Sequence, residues 1–175
     1  KPCAIVNFLS GKSIKSIKNH HLTELGYNLA KMHITGLKFR QSLENQFSIP
    51  KWQDIYDRTS NQLDNIKPGL NTEINSTIVR LRNNWPKNIP QGIIHGDLFP
   101  DNVFFHNKNL VGIIDYYFSC TDFLMYDVAI CINAWCFEND SEFNITKAKH
   151  FLASYNKVRK IEEKELEMLP ILASG

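Results

Sequence analysis

Apolar residues recur along the first half of the chain at spacings of three and four, which is the period of an amphipathic helix. Residues 19–33, 52–66 and 74–81 each show this pattern, and they predict three helices. Gly36 lies just beyond the first stripe and is a stop signal, and a Pro-Gly pair closes the second. Gly26 weakens the first helix and is typical of a close approach to a neighbouring element.

The pattern changes in the second half, where short apolar runs alternate with polar loops. Runs at residues 93–94, 103–105 and 110–114 are typical of strands, and the polar, asparagine-containing segment 106–109 suits a hairpin turn between the last two. Residues 126–137 are almost wholly apolar and predict a buried helix.

Two more helices are predicted over residues 144–158 and 162–172. A short apolar run over residues 2–9 predicts a strand or an extended linker. The predicted fold class is α+β: mostly helical, with a small β-hairpin at the centre.

Several side chains of the apolar stripes are predicted to lie in the core rather than to do chemistry. His33 ends the first helical stripe, and Trp135 lies within the apolar run of the fourth helix. Cys131 and Cys136 lie in the same run and are predicted to be buried thiols.

The candidate chemistry lies in the polar loop between the first two strands. His95, Asp97 and Asn102 have the H-x-D-x-x-x-x-N spacing of a kinase catalytic loop, and Asp115 follows the hairpin at the place of the second metal-binding acid. Phosphoryl transfer needs one carboxylate to orient the acceptor hydroxyl and take its proton, and oxygen ligands to hold Mg²⁺. Asp97 is the candidate base, and Asn102 and Asp115 are the candidate ligands.

A simpler interpretation exists for each of these residues alone. Asp and Asn are common in turns because their side chains hydrogen-bond the nearby backbone. As a spaced set between strands they indicate catalysis. Asp127 follows at the start of the buried helix and is predicted to support the loop or the helix terminus.

Composition and charge narrow the class of protein further. The chain has 43% hydrophobic and 22% charged residues, which is ordinary for a globular domain. A net charge of +2 with scattered lysines does not favour nucleic acid or a membrane surface as a partner. The four cysteines form no C-x-x-C pair, so neither a zinc site nor a redox motif is indicated, and a reducing cytoplasm fits.

The motifs together resemble the aminoglycoside phosphotransferase and choline kinase superfamily, which shares the protein-kinase fold. The matching runs are His-Gly-Asp-Leu-Phe-Pro-Asp-Asn at 95–102, Ile-Ile-Asp at 113–115 and Tyr-Asp-Val-Ala at 126–129. Within it, Asp101 and the runs at 112–118 and 129–138 resemble homoserine kinases of the kinase-like type.

The resemblance implies an activity and roles for particular residues. Such enzymes use ATP and Mg²⁺ to phosphorylate the hydroxyl of L-homoserine, and the product, O-phosphohomoserine, feeds threonine synthesis. By this resemblance Asp97 is the catalytic base, Asn102 and Asp115 bind Mg²⁺, and His95 and Asp127 support the loop.

The resemblance also implies a division of the chain. Residues 1–11 resemble the linker between the two kinase lobes, and residues 12–175 resemble a C-terminal lobe truncated at both ends. In the linker, Phe8, Leu9, Ser10 and Gly11 would lie beside the nucleotide and contact it through the backbone. No glycine-rich phosphate loop is present in the sequence. We therefore expect an N-terminal lobe upstream in a longer protein, and little or no activity from this chain alone.

Two other functions stay open at this point. One is another small-alcohol kinase of the same superfamily, acting on choline, ethanolamine, a sugar or an aminoglycoside. The other is a binding module of kinase ancestry without activity. The expected partners are L-homoserine and ATP, with no nucleic acid and no membrane, and the sequence leaves a homo-oligomer open.

Overall fold

Helices make up most of the structure, a computed structural model that describes residues 7–139 and 141–175. Within these residues the helices are α1 (Asn19–Gly36), α2 (Ile49–Ile66), α3 (Leu70–Asn84), α4 (Leu124–Trp135), α5 (Ile145–Val158) and α6 (Glu163–Leu172). The strands are β1 (Gln91–Ile94), β2 (Val103–His106), β3 (Asn109–Ile113), β4 (Cys120–Phe123), β5 (Phe137–Glu138) and β6 (Glu142–Phe143). The predicted fold class, α+β and mostly helical, is confirmed.

The predicted helices are all present. The fourth begins at Leu124 and ends at Trp135, two residues earlier than predicted at each end. Asn144 is the N-cap of α5, where its side chain accepts a hydrogen bond from the backbone N–H of Lys147. None of the helices in the described parts of the chain is long and apolar enough to cross a membrane.

The core lies where α1, α4 and α5 meet. Leu22, Leu25 and Leu29 of α1 are fully buried, as the spacing predicts. The predicted burial of Cys131 and Cys136 is also confirmed. Burial raises the pKa of the Cys136 thiol to about 12, so this cysteine is an inert packing residue.

Gly26 allows α1 to lie directly against α5, which confirms the close approach predicted from the sequence. A Cβ atom at this position would overlap the backbone carbonyl oxygen of Phe151 and would lie 3.0 Å from the backbone nitrogen of Tyr155. Because both neighbours are backbone atoms of a buried helix, they have no rotamer through which to move away.

We expect Gly26→Ala to destabilise the protein although alanine is the better helix former. The new methyl group forces α1 away from α5, at a cost of about 1–3 kcal/mol in the free energy of unfolding. Urea unfolding measures this change. Asn61→Ala, at an exposed position of α2, is the control and should be neutral or slightly stabilising. A Gly26→Ala variant as stable as the parent would contradict the close helix contact.

The described residues form three two-stranded antiparallel sheets, where the sequence predicted one hairpin. The predicted hairpin is the pair of β2 and β3. The strand predicted at residues 93–94 is β1, and it pairs with β4, a strand that the sequence did not predict. The strands β4, β5 and β6 have only two to four residues, which is too short to show a period of two.

The segment before α1 joins the hairpin as an added edge. The backbone N–H of Lys12 donates to the carbonyl oxygen of Phe105 at 3.0 Å, and the N–H of Phe105 donates to the carbonyl of Lys12 at 2.9 Å. The strand or linker predicted over residues 2–9 falls mostly outside the described residues, and residues 7–9 have no regular secondary structure.

Candidate active site

The loop after β1 folds back on itself and brings Asp97 and Asn102 into contact. The side-chain Nδ2 of Asn102 donates to the backbone oxygen of Asp97 at 2.8 Å and to its carboxylate Oδ2 at 3.1 Å. Two tight backbone turns form this fold-back. The backbone N–H of Phe99 donates to the carbonyl oxygen of Asp97, and the backbone N–H of Asn102 donates to the carbonyl oxygen of Phe99. Asp97 is partly exposed while Asn102 is buried, so a fixed amide holds an accessible carboxylate.

The β2–β3 hairpin brings Asp115 close to Asn102. Val103 pairs with Ile113, and the backbone N–H of Ile114 donates to the carbonyl oxygen of Asn102 at 3.0 Å. Asp115 follows at once, exposed and in the left-handed region with φ 62° and ψ 60°. This conformation is uncommon outside glycine and is concentrated at functional sites. The structure therefore brings Asp97, Asn102 and Asp115 to one end of the hairpin.

His95 joins the loop to the residue before Asp115. Its Nε2 lies 2.9 Å from the carbonyl oxygen of Ile114, and its Nδ1 lies 3.2 Å from the backbone nitrogen of Asp97. Because a carbonyl can only accept and an N–H can only donate, Nε2 carries the proton and Nδ1 does not. The ring is buried and packs against Tyr116, with centroids 4.7 Å apart. This geometry supports the predicted positioning role, which stays a prediction.

Asp127 lies beneath the loop and binds its backbone. The carboxylate is fully buried in the first turn of α4. It accepts hydrogen bonds from the backbone N–H groups of His95 at 2.8 Å and Gly96 at 3.0 Å, and from His33 Nε2 at 3.1 Å. Gly96 has φ 78°, and a Cβ there would lie 2.8 Å from the carbonyl oxygen of Phe118, so the loop needs glycine at this point.

These three donors keep Asp127 ionised. Burial alone would raise the pKa of its carboxyl. The hydrogen bond from His33, together with those from the backbone N–H groups of His95 and Gly96, outweighs burial and holds that pKa below its ordinary value. A buried anion of this kind fixes the loop, because any movement of His95 or Gly96 would remove a hydrogen-bond donor from the buried charge.

Two residues that were predicted only as core residues also make hydrogen bonds to the loop or to Asp127 beneath it. The predicted burial of His33 and Trp135 is confirmed. Each also binds the active-site region: His33 donates to Asp127, and Trp135 Nε1 donates to the carbonyl oxygen of Leu98 at 2.7 Å. The signal in the sequence was a polar ring atom on an apolar stripe, because such an atom needs a partner when it is buried.

Part of the predicted nucleotide-binding segment packs against strand β3 of the hairpin. The side chain of Leu9 covers Gly112 so closely that a Cβ there would overlap it, and Gly11 packs against Val111. Phe8 is 96% exposed. Leu9 and Gly11 thus contact the hairpin that precedes Asp115. The contact of Phe8, Leu9, Ser10 and Gly11 with nucleotide stays a prediction.

A cavity of about 700 Å³ lies behind the loop, between the end of α1 and β1. Its largely apolar wall includes Met32, Phe39, Ile94 and Tyr116. Asp97 does not line this cavity. We therefore do not assign it as the acceptor site.

The side chains that could hold a metal ion offer oxygen atoms. Asn102 uses its Nδ2 on Asp97, which leaves the amide oxygen for a ligand, and Asp115 presents an exposed carboxylate. Within the described residues there is no cluster of three His, Cys, Asp or Glu side chains that could bind a metal. Two protein oxygens suit Mg²⁺, which commonly keeps waters and binds substrate phosphates.

Known proteins match this chain at the level of sequence and of fold. A family model for the phosphotransferase enzyme family matches residues 1–161. A homoserine kinase of Rhodospirillum rubrum is 46% identical over 175 residues, which is 100% of this chain and 54% of the relative. A homoserine kinase of Parvibaculum lavamentivorans is 45% identical with the same coverage. This chain thus spans about half the length of the curated relatives it matches.

The fold is shared with a more distant group of structures. The crystal structure of an aminoglycoside-3'-phosphotransferase of type VIII aligns with a TM-score of 0.73 at 17% identity, over 95% of this chain and 66% of that one. At this identity the likeness concerns the fold alone. Since the family model covers most of the sequence, including the loop of residues 95–102 and Asp127, the chain belongs to the phosphotransferase enzyme family.

Proposed function

We propose that the protein containing this chain transfers the γ-phosphoryl group of ATP to the hydroxyl of L-homoserine, giving ADP and O-phosphohomoserine. The observation that carries the proposal is the convergence of Asp97, Asn102 and Asp115 at one end of the β2–β3 hairpin. The choice of acceptor is supported by relatives named homoserine kinase at 45–46% identity over the whole chain. As the family resemblance implies, the product would serve threonine synthesis in the cytoplasm.

Asp97 is the proposed catalytic base. Asn102 donates to its Oδ2, which leaves Oδ1 free to accept the hydrogen bond of the acceptor hydroxyl. As the oxygen–phosphorus bond forms and the bond to the ADP oxygen breaks, the hydroxyl proton passes to Asp97. Asn102 keeps the carboxylate in one orientation, so little reorganisation is needed during the reaction.

Asn102 and Asp115 are the proposed ligands of Mg²⁺. Their amide and carboxylate oxygens are the hard donors that this ion prefers. When bound, the ion would offset the charge that develops on the phosphates. His95 would keep the two ligands in register, because it contacts the residue before Asp115 with one ring nitrogen and the loop with the other.

The proposal is tested by ADP release from the full-length protein with Mg·ATP and a panel of acceptors. We expect L-homoserine to be used with a kcat/KM at least about a hundredfold above that of choline, ethanolamine or an aminoglycoside. L-Serine, one methylene shorter, is the matched acceptor, and its kcat/KM should fall by about 10–200-fold. Preferred turnover of any other acceptor on the panel would reject L-homoserine and keep the phosphotransfer chemistry.

A further inference from the structure

A chain of buried polar side chains runs from Asp127 through three more helices. The Nε2 of His33 lies 3.1 Å from the Asp127 carboxylate, and its Nδ1 lies 2.7 Å from the hydroxyl oxygen of Tyr155. Arg159 Nη1 lies 3.4 Å from the same hydroxyl oxygen, and its Nη2 lies 2.8 Å from the carboxylate of Glu165. We call these five residues the buried polar chain.

When the His33 ring carries a single proton, the hydrogen bonds of the buried polar chain run in one consistent direction. An arginine carries donors alone, so Arg159 donates to both Tyr155 and Glu165. Burial raises the pKa of the Tyr155 hydroxyl, which therefore keeps its proton. Since Arg159 has no lone pair to accept that proton, the proton is directed at His33 Nδ1. The remaining proton of His33 then lies on Nε2, where it meets the carboxylate of Asp127.

The Glu165 end of the buried polar chain is also held in place. Glu165 is fully buried, and its second carboxylate oxygen accepts the backbone N–H of Glu162 at 3.0 Å, at the start of α6. The Arg159 side chain is 11% exposed. The guanidinium also lies over the ring of Tyr155, with its central carbon 5.8 Å from the ring centroid. Arg159 therefore contacts both the hydroxyl group and the ring of Tyr155.

We propose that Tyr155 is a positioning residue for phosphoryl transfer. Its hydroxyl selects the His33 tautomer that donates to Asp127, and the Arg159–Glu165 pair fixes Tyr155, so that the first turn of α6 is coupled to the catalytic loop. The catalytic part of this inference rests on the proposed function.

The tautomer of His33 matters because the Asp127 carboxylate beneath the loop needs a donor at His33 Nε2. If His33 took its other tautomer, the lone pair of Nε2 would face the Asp127 carboxylate and repel it. The carboxylate would then move, and with it the backbone N–H groups of His95 and Gly96 that it holds. Asp97 follows Gly96 directly, and an error of about 1 Å in the position of a reacting group can cost about a hundredfold in rate.

The test uses Tyr155→Phe in the full-length protein, which removes the hydroxyl and keeps the ring. We expect kcat to fall at least tenfold while KM for ATP changes less than twofold. Amide exchange at His95 and Gly96 should become at least tenfold faster. The ring ¹⁵N shifts of His33 should change from an Nε2-protonated ring to a mixture of tautomers.

The matched control is Tyr56→Phe. Tyr56 donates a hydroxyl hydrogen bond of the same length, 2.7 Å, to Asn71 between α2 and α3. This variant should leave kcat, the two exchange rates and the His33 ring signals unchanged.

Glu165→Gln weakens the far end of the buried polar chain without removing any atom of Tyr155 or His33. It should shift all readouts in the same direction by a smaller factor, which keeps the test available if Tyr155→Phe folds poorly.

Unchanged exchange and an unchanged His33 tautomer in Tyr155→Phe would overturn the proposal, even if activity fell. Faster exchange with an unchanged kcat would also overturn it, because the hydroxyl would then support the fold and not the reaction. If the parent protein fails to phosphorylate L-homoserine, the proposed function fails by itself. The exchange and tautomer measurements then still decide whether Tyr155 holds the loop.

Discussion

Asp97→Asn in the full-length protein should lower kcat with L-homoserine by about 10²–10⁴-fold, the range typical of a lost general base. An amide cannot take the hydroxyl proton at neutral pH, but it has the shape of the carboxylate. Its carbonyl oxygen can still accept the Nδ2–H of Asn102, which contacts the wild-type carboxylate at 3.1 Å. The loop should therefore keep its conformation, and the loss should fall on kcat and not on KM for ATP.

The measurement is coupled ADP release at saturating Mg·ATP, with urea unfolding of the same preparations. Asp54→Asn makes the same chemical change at an exposed position on α2 and is the control for activity. It should keep the parental kcat. An Asp97→Asn enzyme that retains more than a tenth of the parental kcat, with its fold intact, would remove Asp97 from the role of base.

Asp127→Asn should be the most destabilising single-atom change in the site, with a loss of about 3–5 kcal/mol in the free energy of unfolding. The carboxylate accepts hydrogen bonds from His33, His95 and Gly96, and no water can replace it because it is fully buried. An amide has one acceptor oxygen and turns an NH₂ group towards at least one of these donors. Urea unfolding measures the loss, with Asp54→Asn expected to change stability by less than about 0.5 kcal/mol.

The same substitution has a predictable pH dependence. The pKa of Asp127 is lower in the folded protein than in the unfolded chain, where it lies near 3.9. Its ionised form therefore contributes stability that is fully present above about pH 4 and is lost as the pH falls through the folded-state pKa. The stability difference between parent and Asp127→Asn should be constant from about pH 7 to 5 and shrink below about 4. A difference that grows in acid would contradict an ionised Asp127.

The sequence by itself determined the elements whose evidence is local. Helix α1 was predicted because its apolar residues repeat within the helix. The hairpin was predicted from two apolar runs and the turn between them. Asp97 and Asn102 were singled out by the spacing of the motif, and they lie five positions apart in one loop. Each of these features depends on interactions between residues close in the chain, and short-range interactions leave a pattern in the sequence.

Tertiary structure alone decided how these elements support one another. His33 meets Asp127 across 94 positions and Tyr155 across 122, because α1 packs against α5 and brings His33 to the first turn of α4. Strand β1 lies outside the hairpin and pairs with β4, a strand too short to show a period. Such contacts depend on which helix faces cover each other in the core. A buried polar atom shows that it needs a partner, but the packing of the helices determines which partner it has.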